Sequence, residues 1–265
     1  LRTIEEILER SQSQFDITII GKEPYPNYNR IMLSNILQKK MTVEDTIMNP
    51  YDWYQENNIE LINNDPVEKV DKENKIVTTS KGIEVEYDIC IFATGSKAFV
   101  LPIPGSNLPS VIGWRTIDDT NKMIEIAQTK KRAVVIGGGL LGLECARGLL
   151  DQGMEVTVLH LADWLMEMQL DRKAGEMLKA DLEKQGMKIE LQANSKEIIG
   201  DKDVEAIKLA DGRVIETDLV VMAVGIRPYT EVAKDSGLDV NRGIVVNDYM
   251  QTSDSHIYAV GECAE

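Results

Sequence analysis

Lys131–Glu144, KRAVVIGGGLLGLE, is the stretch from which the rest of the chain can be ordered. Ala133, Val134, Val135 and Ile136 make an apolar, β-branched run of the kind that fills a buried parallel strand. The run leads straight into Gly137-Gly138-Gly139-Leu140-Leu141-Gly142, a G-x-G-x-x-G, and a helical pattern follows through Leu143, Ala146, Leu149 and Leu150. Strand, glycine turn and helix in that order can seat a dinucleotide pyrophosphate. Gly137 permits the tight turn, Gly139 lets the backbone approach a phosphate, and Gly142 lets helix and strand pack closely. Leu140 and Leu141 open the helix, where free amides face the phosphates. Taken alone, the same spacing also suits a tight turn in another α/β protein.

The composition narrows the setting. A chain of 265 residues can hold one large or two ordinary domains. It is 43% hydrophobic and 28% charged, an ordinary soluble balance. The net charge of −15 argues against nucleic acid as a partner, because nothing would release phosphate counterions. Apolar runs stop short of membrane-spanning length, so no membrane partner is expected. The opening residues LRTIEEILER are charged and helical, unlike a secretory signal. Cys90, Cys145 and Cys263 lie far apart with no C-x-x-C, which suits a reducing cytoplasm. The chain starts at Leu1 and stops at Glu265 in an unfinished pattern, so it reads as a piece of something longer.

Taken in order, residues 1–10 have helical spacing, and polar residues 11–14 end that helix. Phe15–Ile20, FDITII, reads as a short buried strand. Gly21, Lys22 and Glu23 follow, then the loop PYPNYNR. Residues 30–40 and 50–58 look helical. Strands are expected at 59–62, 67–70, 75–79 and 83–93, the last ending in Thr94 and Gly95. Thr116 with Asp119 three residues on marks a helix start. After Gly142 the pattern recurs: VTVL at 156–159 matches ITII, and KIEL at 188–191 matches IEL at 59–61. Residues 194–225 then match residues 64–95, with ETDLVVMAVG against EYDICIFATG. Such a duplication places Leu143 of the second copy opposite Leu1 of the first. The expected counterpart of strand and glycine turn would then lie upstream of Leu1. Each copy reads as a Rossmann half, a small β-meander and a return strand, an α/β fold with two dinucleotide units.

At this point the residues carry a resemblance. Two dinucleotide units, Ala93-Thr94-Gly95 at a strand end and a late Val260-Gly261-Glu262 resemble the pyridine nucleotide–disulfide oxidoreductase superfamily of two-nucleotide flavoproteins. PYPNYNRIMLS resembles the P-Y-x-R-x-x-L-S loop of ferredoxin and rubredoxin reductases. LMEMQLD at 165–171 and VGECAE at 260–265 resemble the large subunits of assimilatory NAD(P)H-nitrite reductases, here truncated at both ends. The resemblance implies FAD and NAD(P)H as cofactors. It also implies electron transfer onward to iron–sulfur and sirohaem centres in downstream domains of the same chain, with a small subunit as a further partner. Reduction of nitrite to ammonia takes six electrons, and a flavin turns hydrides into single electrons. The ligands for iron–sulfur and sirohaem are not in this sequence.

The resemblance also assigns roles. Gly137, Gly139, Leu140, Leu141 and Gly142 would hold the nicotinamide dinucleotide, with Gly225 approaching it from the return strand. The position that usually carries a ribose-binding Asp or Glu is His160, with no Arg beside it for a 2′-phosphate, which leaves NADH and NADPH both open. Glu144 would face flavin and nicotinamide and is the candidate catalytic residue. Its usual Lys partner is replaced by Asn35, after Ser34. A plain helix-terminal carboxylate is the alternative for Glu144. On the FAD side stand Glu23 for the adenosine ribose, and Arg30 and Ser34 for pyrophosphate and flavin edge. Thr94 and Gly95 would make close approach, Arg115 would touch the flavin, and Glu262 would take the usual Asp's place at the ribityl chain. No metal ligands are expected. The loop lacks the cysteines that a disulfide substrate needs.

The expected domains are an FAD domain at 1–111 and 243–265, missing its first strand and glycine loop, and an NAD(P) domain at 112–242. The expected function is the flavoprotein module of NAD(P)H-nitrite reductase. A free-standing ferredoxin or rubredoxin reductase is the alternative within enzymes, and a redox-silent nucleotide sensor or docking subunit is the alternative outside them. By itself the piece is expected neither to reduce nitrite nor to retain FAD.

Overall fold

A computed structural model of the chain describes residues 1–11 and 14–265. The expected helix stop at 11–14 falls partly on Gln12 and Ser13, which lie outside the described residues. The chain divides into two units: Leu1–Asn29, Ile47–Ser96 and Arg227–Glu265 form the first, and Arg30–Thr46 with Lys97–Ile226 form the second.

The second unit is built on a five-stranded parallel sheet. Its strands run in the order Val111–Gly113, Leu219–Met222, Arg132–Ile136, Glu155–Leu159, Lys188–Glu190. The strand that leads into the glycine turn is therefore central, with Ala133–Ile136 paired to Leu219–Met222 on one side and Arg132–Ile136 to Glu155–Leu159 on the other. Central strands covered on both faces need apolar residues at every position. Ala133 to Ile136 and Leu219 to Met222 meet that demand, each at most 5% exposed. An antiparallel meander, Ser195–Ile199, Ala206–Leu209 and Val214–Glu216, contributes Ile198, Ile207 and Leu209 to one core with Val134, Ile136, Val220 and Met222. The helix Leu140–Asp151 packs on strands Arg132–Ile136 and Glu155–Leu159. Thr116 and Asp119 form a complete capping box at the start of helix Ile117–Thr129, so Asp serves where Glu is more usual.

Residues 30–46 group with this unit and not with the early segment around them. The expected helix there is a single 3-10 turn, Arg30–Met32, followed by the short helix Leu33–Leu37. The physical reason for the grouping is contact with the glycine helix. A Cβ on Gly148 would stand 2.5 Å from Leu37, so only glycine lets the two helices approach this closely. The Gln152 side chain donates to the Leu37 carbonyl at 2.7 Å.

The first unit repeats the pattern with a gap. Its meander is Val67–Asp71, Ile76–Thr79 and Glu84–Glu86. Its parallel strands form two separate pairs, Ile17–Ile20 with Ile59–Ile62, and Cys90–Phe92 with Ile257–Ala259. By the repeat, Ile17–Ile20, Ile59–Ile62 and Cys90–Phe92 match Glu155–Leu159, Lys188–Glu190 and Leu219–Met222 of the five-stranded sheet. Among the described residues no strand corresponds to central Arg132–Ile136. Ile17–Ile20 is accordingly half-buried at every position, not the buried strand expected from FDITII. The expected strand 83–93 is broken at Tyr87–Ile89 into a meander strand and a parallel strand, as Thr217–Asp218 breaks the second copy. Phe92, Ile257, Ala259 and Cys263 form this unit's core with Val70, Val77 and Ile244.

Candidate nucleotide sites

In the second unit the glycine turn differs at each position. Gly137 has φ 120°, a left-handed conformation that L side chains rarely adopt, and a Cβ there would meet the Ala223 carbonyl oxygen at 2.3 Å. A Cβ on Gly142 would stand 1.9 Å from the Gly137 carbonyl oxygen, so turn and helix touch backbone to backbone. Gly139 has nothing within 4 Å of its Cβ position. Two glycines are thus required by the protein itself, and the middle one leaves open space beside the backbone. The first intrahelical bond runs from Leu143 N–H to the Gly139 carbonyl, 3.0 Å. The amides of Leu140, Leu141 and Gly142 precede it and carry the partial positive charge of the helix start. Leu140 is 62% and Leu141 39% exposed. Open backbone at Gly139 beside unbonded amides fits a pyrophosphate. Gly225, with φ 113°, follows the return strand and likewise has open space at its Cβ position.

His160 directly follows strand Glu155–Leu159 and turns inward, 8% exposed. Its Nδ1 accepts the Gly138 N–H at 3.0 Å, and its Nε2 lies 2.9 Å from Glu167 Oε2. A Cβ on Gly138 would strike this ring at 2.7 Å and Leu165 at 2.6 Å, so the turn rests on the loop that follows His160. Glu167 escaped the reading of the sequence as a partner. It stands seven residues from His160 in a loop without periodicity, and only the missing strand-end acid could have prompted a search for a substitute.

Glu144 lies on the glycine helix, and burial pushes its carboxyl above the ordinary value, with a hydrogen bond from Ser34 working against that rise. The structure therefore sets Ser34, buried at 7%, against Glu144. Asn35 instead turns its amide toward the sulfurs of Met32 and Met41, at 3.2 and 3.6 Å. The Arg30 guanidinium donates to the Arg115 carbonyl, and the Arg115 N–H is fixed by Asp119 at 2.8 Å. Burial also raises the Cys145 thiol, so this cysteine on the glycine helix is packed and unreactive.

The first unit carries the other expected residues. Glu23 follows strand Ile17–Ile20 and accepts from the Tyr28 hydroxyl at 2.6 Å. Thr94 donates to the Tyr229 carbonyl at 2.8 Å, and Gly95 has φ 62° with open space at its Cβ position. Glu262 Oε2 accepts from the buried Ser96 hydroxyl at 2.6 Å, a contact the sequence did not suggest. No counterpart of the glycine turn stands among the described residues of this unit.

A parallel sheet with a glycine turn opening onto a helix, together with a partial second copy, defines a dinucleotide-binding α/β protein. The chain belongs to the pyridine nucleotide-disulphide oxidoreductase family, matching it over residues 4–265. It is 56% identical over its whole length to a nitrite reductase [NAD(P)H] of Bacillus subtilis, covering 33% of that protein. It is 39% identical to the nitrite reductase (NADH) large subunit of Escherichia coli, over 99% of this chain and 32% of that one. The chain thus spans about a third of the nitrite reductases it matches. Among solved structures, a ferredoxin reductase from Rhodopseudomonas palustris superposes with a TM-score of 0.90 at 31% identity, over 98% of this chain and 65% of that one. The NADH:rubredoxin oxidoreductase of Clostridium acetobutylicum gives 0.80 at 33% identity, over 94% and 62%.

Proposed function

We propose that this chain is the NAD(P)H-oxidising flavoprotein part of an assimilatory nitrite reductase. The observation that carries the reading is the open backbone at Gly139 facing unbonded helix amides, in a chain whose full length matches nitrite reductases. In this reading Gly137, Gly139, Leu140, Leu141, Gly142 and Gly225 hold the nicotinamide dinucleotide. Glu23, Arg30, Ser34, Thr94, Gly95, Arg115 and Glu262 serve FAD. The flavin supplies the conversion of hydride to single electrons. Glu144, with its raised carboxyl, holds a proton more readily than an exposed Glu and presents it beside the dinucleotide turn. The onward acceptors are iron–sulfur and sirohaem centres in downstream domains of the parent protein, with a small subunit as a further partner, in the cytoplasm. No helix among the described residues is long and apolar enough to cross a membrane.

The test uses the full-length parent protein. NADH or NADPH consumption that depends on nitrite, with three coenzyme molecules oxidised per ammonia formed, supports the reading. Coenzyme oxidation coupled to rubredoxin or ferredoxin but indifferent to nitrite favours the second reading, a free-standing reductase. That alternative draws on the 34% identity to a Clostridium acetobutylicum NADH-rubredoxin oxidoreductase, of which the chain covers 62%.

A further inference from the structure

We propose that Glu167, positioned by His160, makes the glycine-turn site select NADH over NADPH. The inference rests on the reading of that turn as a nicotinamide dinucleotide site. The strand-end position expected to carry a ribose-binding acid is His160. Its ring cannot serve the ligand directly. It is buried, Nδ1 is taken by the Gly138 N–H, and Nε2 is taken by Glu167. An Nδ1 that accepts an N–H leaves the ring proton on Nε2, directed at the carboxylate. Both ring nitrogens are therefore spent on the turn and on Glu167, and neither is offered to a 2′-phosphate.

The carboxylate is held next to the turn by a second, independent bond. Met166 N–H donates to the Gly138 carbonyl at 3.0 Å, so residue 166 is tied to the turn and Glu167 follows it directly. Leu165, fully buried, packs on the same glycine. Glu167 keeps 34% of its side chain exposed, and one oxygen is engaged by His160 while the other stays available to accept from ribose hydroxyls. Arg172 pairs with Asp163 at 2.9 Å and lies over the Trp164 ring, and Arg213 pairs with Asp211 and Glu190. A 2′-phosphate of roughly −1.5 to −2 charge would meet this carboxylate, while Arg172 and Arg213 are already paired with acids.

Titration of the chain with NADH and with NADPH, followed by nucleotide fluorescence, tests the proposal without any turnover. The expected result is NADH binding about 10-fold or more tightly than NADPH. Glu167→Gln should bring the two affinities toward parity, and Glu167→Arg should reverse their order, with circular dichroism unchanged because the side chain is partly exposed. Gly139→Ala should weaken both coenzymes equally and leave their ratio alone. Equal affinities in the unaltered chain, or a ratio indifferent to both Glu167 variants, would overturn the role of Glu167 while leaving the site reading intact. Binding of neither coenzyme, or binding untouched by Gly139→Ala, would overturn the site reading and this inference with it.

Discussion

Gly139 and Gly142 sit three residues apart, and the same added methyl group should have different consequences at each. Gly139 has φ −84° and open space, so Gly139→Ala should cost thermal stability no more than a poorer helix cap does while weakening dinucleotide binding. At Gly142 the methyl would meet backbone oxygen at 1.9 Å, so Gly142→Ala should cost about 1–3 kcal/mol of stability as well as binding. Thermal melts and coenzyme titration of the two variants separate these outcomes. Glu144 allows a test by pH. Its carboxyl is raised by burial, so the folded chain holds that proton more tightly than the unfolded chain does. The stability this contributes is present below the ordinary carboxylate pKa and is lost as pH rises through the raised value. Glu144→Gln should therefore melt above the unaltered chain near neutral pH and together with it in acid. Ser34→Ala, which removes the opposing hydrogen bond, should move the Glu144 titration further up, as read by carboxyl carbon NMR.

At the scale of elements, Asp218 links two central strands at their starts. Its carboxylate accepts from the Arg132 N–H at 3.0 Å and from the Arg132 guanidinium at 3.1 and 2.9 Å. The hydrogen bond from the Arg132 side chain holds its pKa down at about 2. A lowered carboxylate contributes stability above its ordinary pKa and loses it as pH falls toward the lowered value. Asp218→Asn should thus cost about 1–2 kcal/mol at neutral pH and almost nothing near pH 2, measured by denaturant unfolding across that range. Strands and helices of this kind were legible because their apolar periods change at glycine or at a cap: Ala133–Ile136 into Gly137, and Thr116 into its helix. The break at Tyr87–Ile89 was not legible, because β-branched residues continue on both sides and only sheet pairing divides them. The loop from His160 to Leu170 was opaque for a different reason. Met166 adopts φ 56° and the contacts run back to Gly138, which local pattern cannot encode.

For the whole molecule, the two copies are unequally equipped. The second unit holds a glycine turn on a central strand, and the described residues of the first hold neither. Expressed as these 265 residues, the chain should bind nicotinamide dinucleotide yet carry far less than one FAD per chain. Flavin absorbance of the purified protein checks this, and a stoichiometric yellow preparation would overturn it. The duplication itself was legible from the matched ends ETDLVVMAVG and EYDICIFATG, and it led to the shared meander and return strand of both units. The grouping of residues 30–46 with the second unit was not, since it depends on Leu37 fitting against Gly148 far along the chain.

The half-sheet of the first unit also bears on how these 265 residues behave on their own. Among the described residues Cys90–Phe92 pairs with Ile257–Ala259 alone, which leaves its other edge unpaired, and Ile89 and Ile91 beside it are 50% and 41% exposed. An open apolar edge of this kind is a template on which any extended chain can add, including another copy of itself. For these 265 residues on their own, self-association that grows with concentration, and is relieved by a charged substitution at Ile91, is the colloidal behaviour such an edge entails.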